Sequence, residues 1–156
     1  MGTPAVRDTR PMIGDAYGGH VRTGAQVLGD DAESFVIRAL ERLGWRILAR
    51  NVRVGRGELD IVAVDPGPPS ELVVVEVRWR STRSFGLPEE SIDRRKRLHL
   101  RAAIGRLLEM GRAGETALPG LPIRVDIVVV EPPPSGASLD DQASPGRLRH
   151  HRAISI

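Results

Sequence analysis

The chain has 156 residues, 40% of them hydrophobic, which is enough to bury one sizeable core and points to one domain with ragged ends. It contains no cysteine, which excludes disulfides and thiolate zinc sites, and its four histidines, His20, His99, His150 and His151, show no ligand spacing with one another. The net charge is only +3, no run approaches the roughly 18 apolar residues of a membrane span, and residues 1–22 lack a signal-peptide core, so the expected location is cytoplasmic.

Residues 1–22 have no periodicity and scattered Gly and Pro, and read as a mobile leader. Over residues 23–43, Leu28, Ala32, Phe35, Val36, Ala39, Leu40 and Leu43 recur at spacings of three and four, the mark of one helical face, and Gly44 ends it. Residues 45–54 and 58–64 are two strand-like runs joined by a short turn around Gly55 and Gly57, a hairpin signal. Pro66-Gly67-Pro68-Pro69-Ser70 then breaks the chain before a third strand over residues 71–79.

After a loop over residues 80–87, Pro88 suits the first turn of a long helix reaching about residue 110, with Glu89 and Glu90 favourable near its N-terminus. Its apolar stripe uses Ile92, Leu100, Ala103, Ile104, Leu107 and Leu108, and Lys96 falls four residues from both Ile92 and Leu100, on or beside the inward face. A Gly-rich loop follows, then a fourth strand over residues 123–130. Residues 132–147 read as a flexible Pro/Gly/Ser connector, and residues 148–156 as a short final element of the same domain. The order helix, three strands, helix, strand implies an α/β domain over residues 23–131, with a mixed sheet and helices packed on it.

Two of these strands carry acids where a folding sequence favours valine. Glu58 and Asp60 in Gly57-Glu58-Leu59-Asp60 are two apart, as are Glu76 and Arg78 in Val75-Glu76-Val77-Arg78, so each pair projects from one face of extended chain. Burying a carboxylate costs several kcal/mol, in order of magnitude, unless a cation or hydrogen bonds compensate it. Edge strands with charges toward water are the alternative. Glu33 adds a further acid from the first helix, and acids drawn from separate elements suit a cation.

Between Arg78 and Arg106 stand nine bases, Arg78, Arg80, Arg83, Arg94, Arg95, Lys96, Arg97, Arg101 and Arg106, against three acids, Glu89, Glu90 and Asp93. A basic zone beside an acidic site is what a phosphodiester substrate needs; a solvated helix face is the plainer reading. Asp126, two residues from Arg124 in a Val/Ile strand, reads as part of a structural polar contact. Phe35, Trp45 and Trp79 read as core.

The motifs Ala32-Glu33, Gly44-Trp45, Ala49-Arg50-Asn51-Val52-Arg53, Gly57-Glu58-Leu59-Asp60, Val75-Glu76-Val77-Arg78, Phe85-Gly86, Lys96 and Arg124-Val125-Asp126 cover about residues 24–130. In this order they resemble the YraN-like family of small bacterial proteins, a branch of the restriction-endonuclease-like superfamily with its PD-(D/E)xK active site. The resemblance implies an αβββαβ core, a mixed sheet flanked by helices. It also implies that Asp60 and Glu76 hold a divalent metal, magnesium with manganese as the substitute, and that Glu33 assists. Glu58 either supports that site or stabilises the hairpin.

The superfamily's lysine is replaced here by Arg78, which cannot be deprotonated in a protein, and Lys96, the only lysine of the chain, is the candidate substitute. The implied catalytic set is then Glu33, Asp60, Glu76, Arg78 and Lys96, with Arg80, Arg83, Arg94, Arg95, Arg97 and Arg101 on nucleic acid, DNA or RNA. The expected function is nucleic-acid binding on a nuclease-like fold, with magnesium-dependent phosphodiester hydrolysis if catalysis survives Arg78. The alternatives are a catalytically inactive nucleic-acid-binding module and a protein-interaction adaptor.

Overall fold

The computed structural model describes residues 24–80, 94–131, 133, 139 and 146–156. The leader, Arg83, Phe85, Gly86, the Pro88 helix start with Glu89, Glu90, Ile92 and Asp93, and most of the 132–147 connector lie outside the described residues. Within that connector Pro133 and Leu139 are buried.

Helix α1 (Gly24–Arg42) buries Ala32, Phe35, Val36 and Leu40, the face that its three-and-four spacing predicts; Leu28's side chain lies outside the described residues. The helix closes as Leu43 and Gly44 N–H groups donate to the Leu40 and Glu41 carbonyls, with Gly44 in the left-handed region at φ 84°. That turn carries Leu43 out of the apolar stripe, and it is 65% exposed instead of packed.

Strands β1 (Arg46–Val54) and β2 (Gly57–Asp65) form the expected hairpin, paired from Arg46↔Val64 to Val54↔Gly57. Strand β3 (Glu71–Trp79) pairs antiparallel with β2 from Ile61↔Val75 to Asp65↔Glu71. Helix α2 (Arg94–Met110) then crosses the sheet, a two-residue ladder of β4 (Arg112–Ala113) and β5 (Thr116–Ala117) follows, and β6 (Ile123–Glu131) lies parallel to β3. The ladder stands where the sequence predicts only a Gly-rich loop. It is anchored by buried Ala113 and by the Thr116 hydroxyl, which donates to the Leu48 carbonyl at 3.1 Å. Strand β7 (Arg147–His151) closes the sheet antiparallel to β6.

The strand order β1-β2-β3-β6-β7 puts β3 in the centre of a five-stranded mixed sheet. This is the restriction-endonuclease-like core that the motifs imply. Strands β3 and β6 are Val-rich because both their faces are covered. On one face α1 packs on Ile61, Ala63, Val73, Val75, Val128 and Val130; on the other, α2 packs on Val62, Leu72, Val74 and Val125 through Leu100, Ala103, Ile104 and Leu107. Leu108 does not join them: about 100° round from Leu107, it is 46% exposed. Trp79 is half-buried against the α1-side core, while Phe35 and Trp45 are buried as expected. No described helix is long and apolar enough to cross a membrane.

Opposite Val75 of β3, Asp126 of β6 is 0% exposed yet fully engaged. Its carboxylate accepts from Arg124 Nε at 2.9 Å and the Ala153 N–H at 2.9 Å, and lies 2.8 Å from His150 Nε2. Arg124 also reaches Asp65 at 2.8 Å and Glu71, and sits 5.7 Å from the Trp45 ring centre. Burial alone would raise the Asp126 carboxyl pKa, but the bonds from His150, Arg124 and Ala153 outweigh it and hold the pKa below its ordinary value. The structural contact between Arg124 and Asp126 read from their spacing is thus one pair in a larger network. Because Arg124 is only 11% exposed and serves three carboxylates, Arg124→Met should lower stability by about 3–5 kcal/mol in urea unfolding. A loss below about 1 kcal/mol would show that the network contributes little to stability.

Candidate metal and phosphodiester site

The β2–β3 ladder stops at Ile61↔Val75, and the next two residues along each strand lead into the candidate site. There the Asp60 carboxylate replaces a backbone partner: its Oδ2 accepts the Val77 N–H at 2.7 Å. Glu76, in the middle of the central strand, is only 2% exposed. Its Oε1 lies 2.9 Å from Lys96 Nζ and 3.4 Å from Arg78 Nη2, while its Oε2 is buried with no hydrogen-bond partner among the described residues.

Lys96 reaches this oxygen because the α2 face that seats Leu100 and Ile104 on the sheet also turns position 96 inward at the helix's first described turn. The inward placement read from its four-residue spacing is therefore the one observed. Arg78 comes from the same side of β3 as Glu76, and its Nε is buried without a hydrogen-bond partner among the described residues.

Burial raises the Asp60 carboxyl to about 7, and the neighbouring charges of Glu76 and Glu33 push the same way; the Val77 N–H and Lys96 oppose them. Glu33 is also raised, first by burial, with a hydrogen bond from Asn51 and the charge of Arg50, 3.9 Å away, opposing. Its Oε2 is buried without a hydrogen-bond partner among the described residues. Asn51 lies between the pairs Arg50↔Ile61 and Val52↔Leu59, opposite Asp60, with a left-handed φ of 49°. Asparagine tolerates that conformation better than most residues.

The sequence leads one to expect Glu33, Asp60 and Glu76 converging on one ion. The structure differs: among the described residues no three His, Cys, Asp or Glu groups come together closely enough to hold a metal. The reason is local. Lys96 takes one oxygen of Glu76, the Val77 N–H takes one of Asp60, and Glu33 is drawn to Asn51 and Arg50.

Asp60 and Glu76 remain neighbouring hard oxygen donors, with Glu76 Oε2 buried and without a hydrogen-bond partner among the described residues. Magnesium uses one or two protein carboxylates and completes its shell with water and phosphate, so this pair fits such an ion. Glu58 faces Arg53 at 3.9 Å across the hairpin, in register with it, and also lines the cavity that contains Asp60.

Of the basic positions, Arg94, Arg95 and Arg101 are exposed along α2 and Arg80 and Arg97 are half-buried; Arg83 lies outside the described residues. Spacing alone reads Asn51 as a phosphate or turn residue and does not reveal its bond to Glu33. A polar residue within a β-like run, opposite an acid, is the available signal.

The raised pKa of Asp60 has a defined consequence. Unfolded aspartate ionises near 3.8, so as pH rises from about 4 to about 7 the unfolded chain loses this proton first and the native state is progressively destabilised. Below about pH 4 both states keep the proton and the penalty is absent. Asp60→Asn should leave stability nearly unchanged at about pH 4 and raise it above about pH 7 by on the order of a few kcal/mol in metal-free buffer. Equal effects at the two pH values would contradict the burial assigned to Asp60.

A family model described as uncharacterised protein family UPF0102 matches residues 32–130. A UPF0102 protein of Moorella thermoacetica is 42% identical over 102 residues, which cover 65% of this chain and 78% of that protein. One from Symbiobacterium thermophilum is 38% identical over 109 residues, covering 70% and 86%. One from Pseudomonas syringae pv. syringae is 35% identical over 117 residues, covering 75% and 89%.

Proposed function

The chain belongs to the uncharacterised protein family UPF0102, the YraN-like family that its motifs resemble, and from the geometry of its buried carboxylates we propose that it binds nucleic acid and hydrolyses phosphodiester bonds with magnesium or manganese. The observation that carries this reading is Lys96 Nζ at 2.9 Å from Glu76 Oε1, beside Asp60. It returns an ammonium to the place that Arg78 leaves without one.

A divalent ion held by Asp60 and Glu76 would supply a lowered water pKa and charge neutralisation on the phosphate. Lys96 holds a mobile point charge at the mouth of the carboxylate pair, where it can meet a phosphate oxygen or hand over a proton. Arg78 holds a permanent positive charge against Glu76 and can only neutralise. Glu33 stands behind the pair and adds negative charge that favours a cation between them. Arg94, Arg95 and Arg101 extend the positive field along α2, and Arg80 and Arg97 continue it, so a polyanion is drawn along the helix toward the acids.

The second reading keeps the binding and drops the cleavage, and Arg78 in place of lysine is the observation that favours it. An adaptor role explains less, because it leaves the stability cost of burying Asp60 and Glu76 without a use.

Cleavage of linear and branched substrates with magnesium or manganese separates the first two. Native protein should cleave, and Asp60→Asn and Lys96→Met should each lower the rate at least about 100-fold while remaining folded. Arg78→Lys should match or exceed native activity. Cleavage by Lys96→Met at the native rate would remove Lys96 from the chemistry, and no cleavage by native protein or Arg78→Lys would leave the binding module. Charge reversal at Arg94 and Arg95 should weaken binding at least about tenfold and flatten its salt dependence, by about 0.9 in log–log slope for each phosphate no longer neutralised.

A further inference from the structure

A cavity of about 330 Å³ lies between the tip of the β1–β2 hairpin and α2, walled by Arg56 and Gly57 on one side and Lys96, His99 and Leu100 on the other, with Asp60 among its lining. Two glycines set its shape. A Cβ on Gly57 would stand 3.1 Å from the Ala103 Cβ and 3.9 Å from the His99 carbonyl, and one on Gly55, at φ 60°, would run into the Arg106 guanidinium. The hairpin tip therefore rests on α2 through Ala103 and the Arg106 guanidinium, with no side chain of its own at Gly55 or Gly57, and the cavity is the gap left beside that contact.

Its two ends differ in chemistry. The inner end holds Asp60 and Lys96, the groups assigned to the phosphodiester. The exposed part of its lining presents two planar side chains, the Arg56 guanidinium and the His99 imidazole, together with the Glu58 carboxylate, near buried Leu100. Guanidinium and imidazole planes stack on unpaired bases, and an apolar floor suits a base's hydrophobic face. The volume is at the lower end of the roughly 300–1,000 Å³ usual for small-ligand pockets. It suits one nucleotide, whereas a base pair with its two backbones is far too wide to enter.

Resting on the nucleic-acid reading above, we infer that this cavity is a subsite for one unpaired nucleotide, its base held by Arg56 and His99 over Leu100 and its phosphate presented to Lys96. The substrate class is then single-stranded or splayed nucleic acid, not continuous duplex. Such a preference runs against simple electrostatics, since a duplex offers the denser row of phosphates to the α2 arginines.

Fluorescence anisotropy on the full chain tests this, using a labelled single strand and a blunt duplex of equal length at matched salt, in metal-free buffer so that neither is cut. Native protein should bind the single strand at least about tenfold more tightly. Arg56→Ala and His99→Ala should each weaken single-strand binding at least about fivefold, as loss of a stacking partner does, and change duplex binding less than about twofold. Both side chains are exposed, so thermal melting of the variants should match native protein. Equal affinity for the two forms, or equal losses on both in the variants, would overturn the subsite while leaving nucleic-acid binding intact. Native protein that binds neither form would overturn both.

Discussion

Glu76 is a carboxylate in the middle of the central strand, and the rest of the site is arranged around the cost of placing it there. An unpaired buried charge is worth several kcal/mol against folding. Lys96 and Arg78 both approach one of its oxygens and offset that cost, while the other oxygen stays buried and unbonded. The compensation depends on packing far from the charge. Leu100, Ala103, Ile104 and Leu107 fix α2 on the sheet, and this fixes how far Lys96 extends.

Two carboxylate clusters one register step apart put the same residue types to opposite uses. Asp126 is buried, but His150, Arg124 and a backbone N–H satisfy it, and its carboxyl is held below the ordinary range. Asp60 is half-buried, but its charged neighbours include other carboxylates, and it is pushed up to about 7. A satisfied network rigidifies: here it ties β7 and the segment after it to β6 and to Trp45. A pair of acids left short of donors carries the electrostatic cost on which the proposed cation site rests. The contrast marks one cluster as structural and the other as the candidate for chemistry.

Much of this is legible in the sequence because it follows periodicity. Charged residues two apart in Val-rich strands, Glu58 with Asp60 and Glu76 with Arg78, put Asp60 and Glu76 among the candidate residues, and the spacing from Leu100 turns Lys96 inward. What periodicity does not encode is lost. A single left-handed residue such as Asn51 leaves no pattern, so its hold on Glu33, and with it the failure of the three acids to close on one ion, is invisible there. Leu43 belongs to the helical stripe by spacing but lies beyond the last helical turn, where the chain reverses at Gly44. His150 meets Asp126 from 24 residues away, a pairing that only the β6–β7 register creates.

The most direct measurement is an anomalous difference map from crystals soaked in manganese, an ion with magnesium's preference for oxygen donors and a usable anomalous signal. One peak is expected between the Asp60 and Glu76 carboxylates, absent in Glu76→Gln. A map with no peak there at saturating manganese, or a peak confined to other carboxylates, would contradict the assignment of these acids as a cation site.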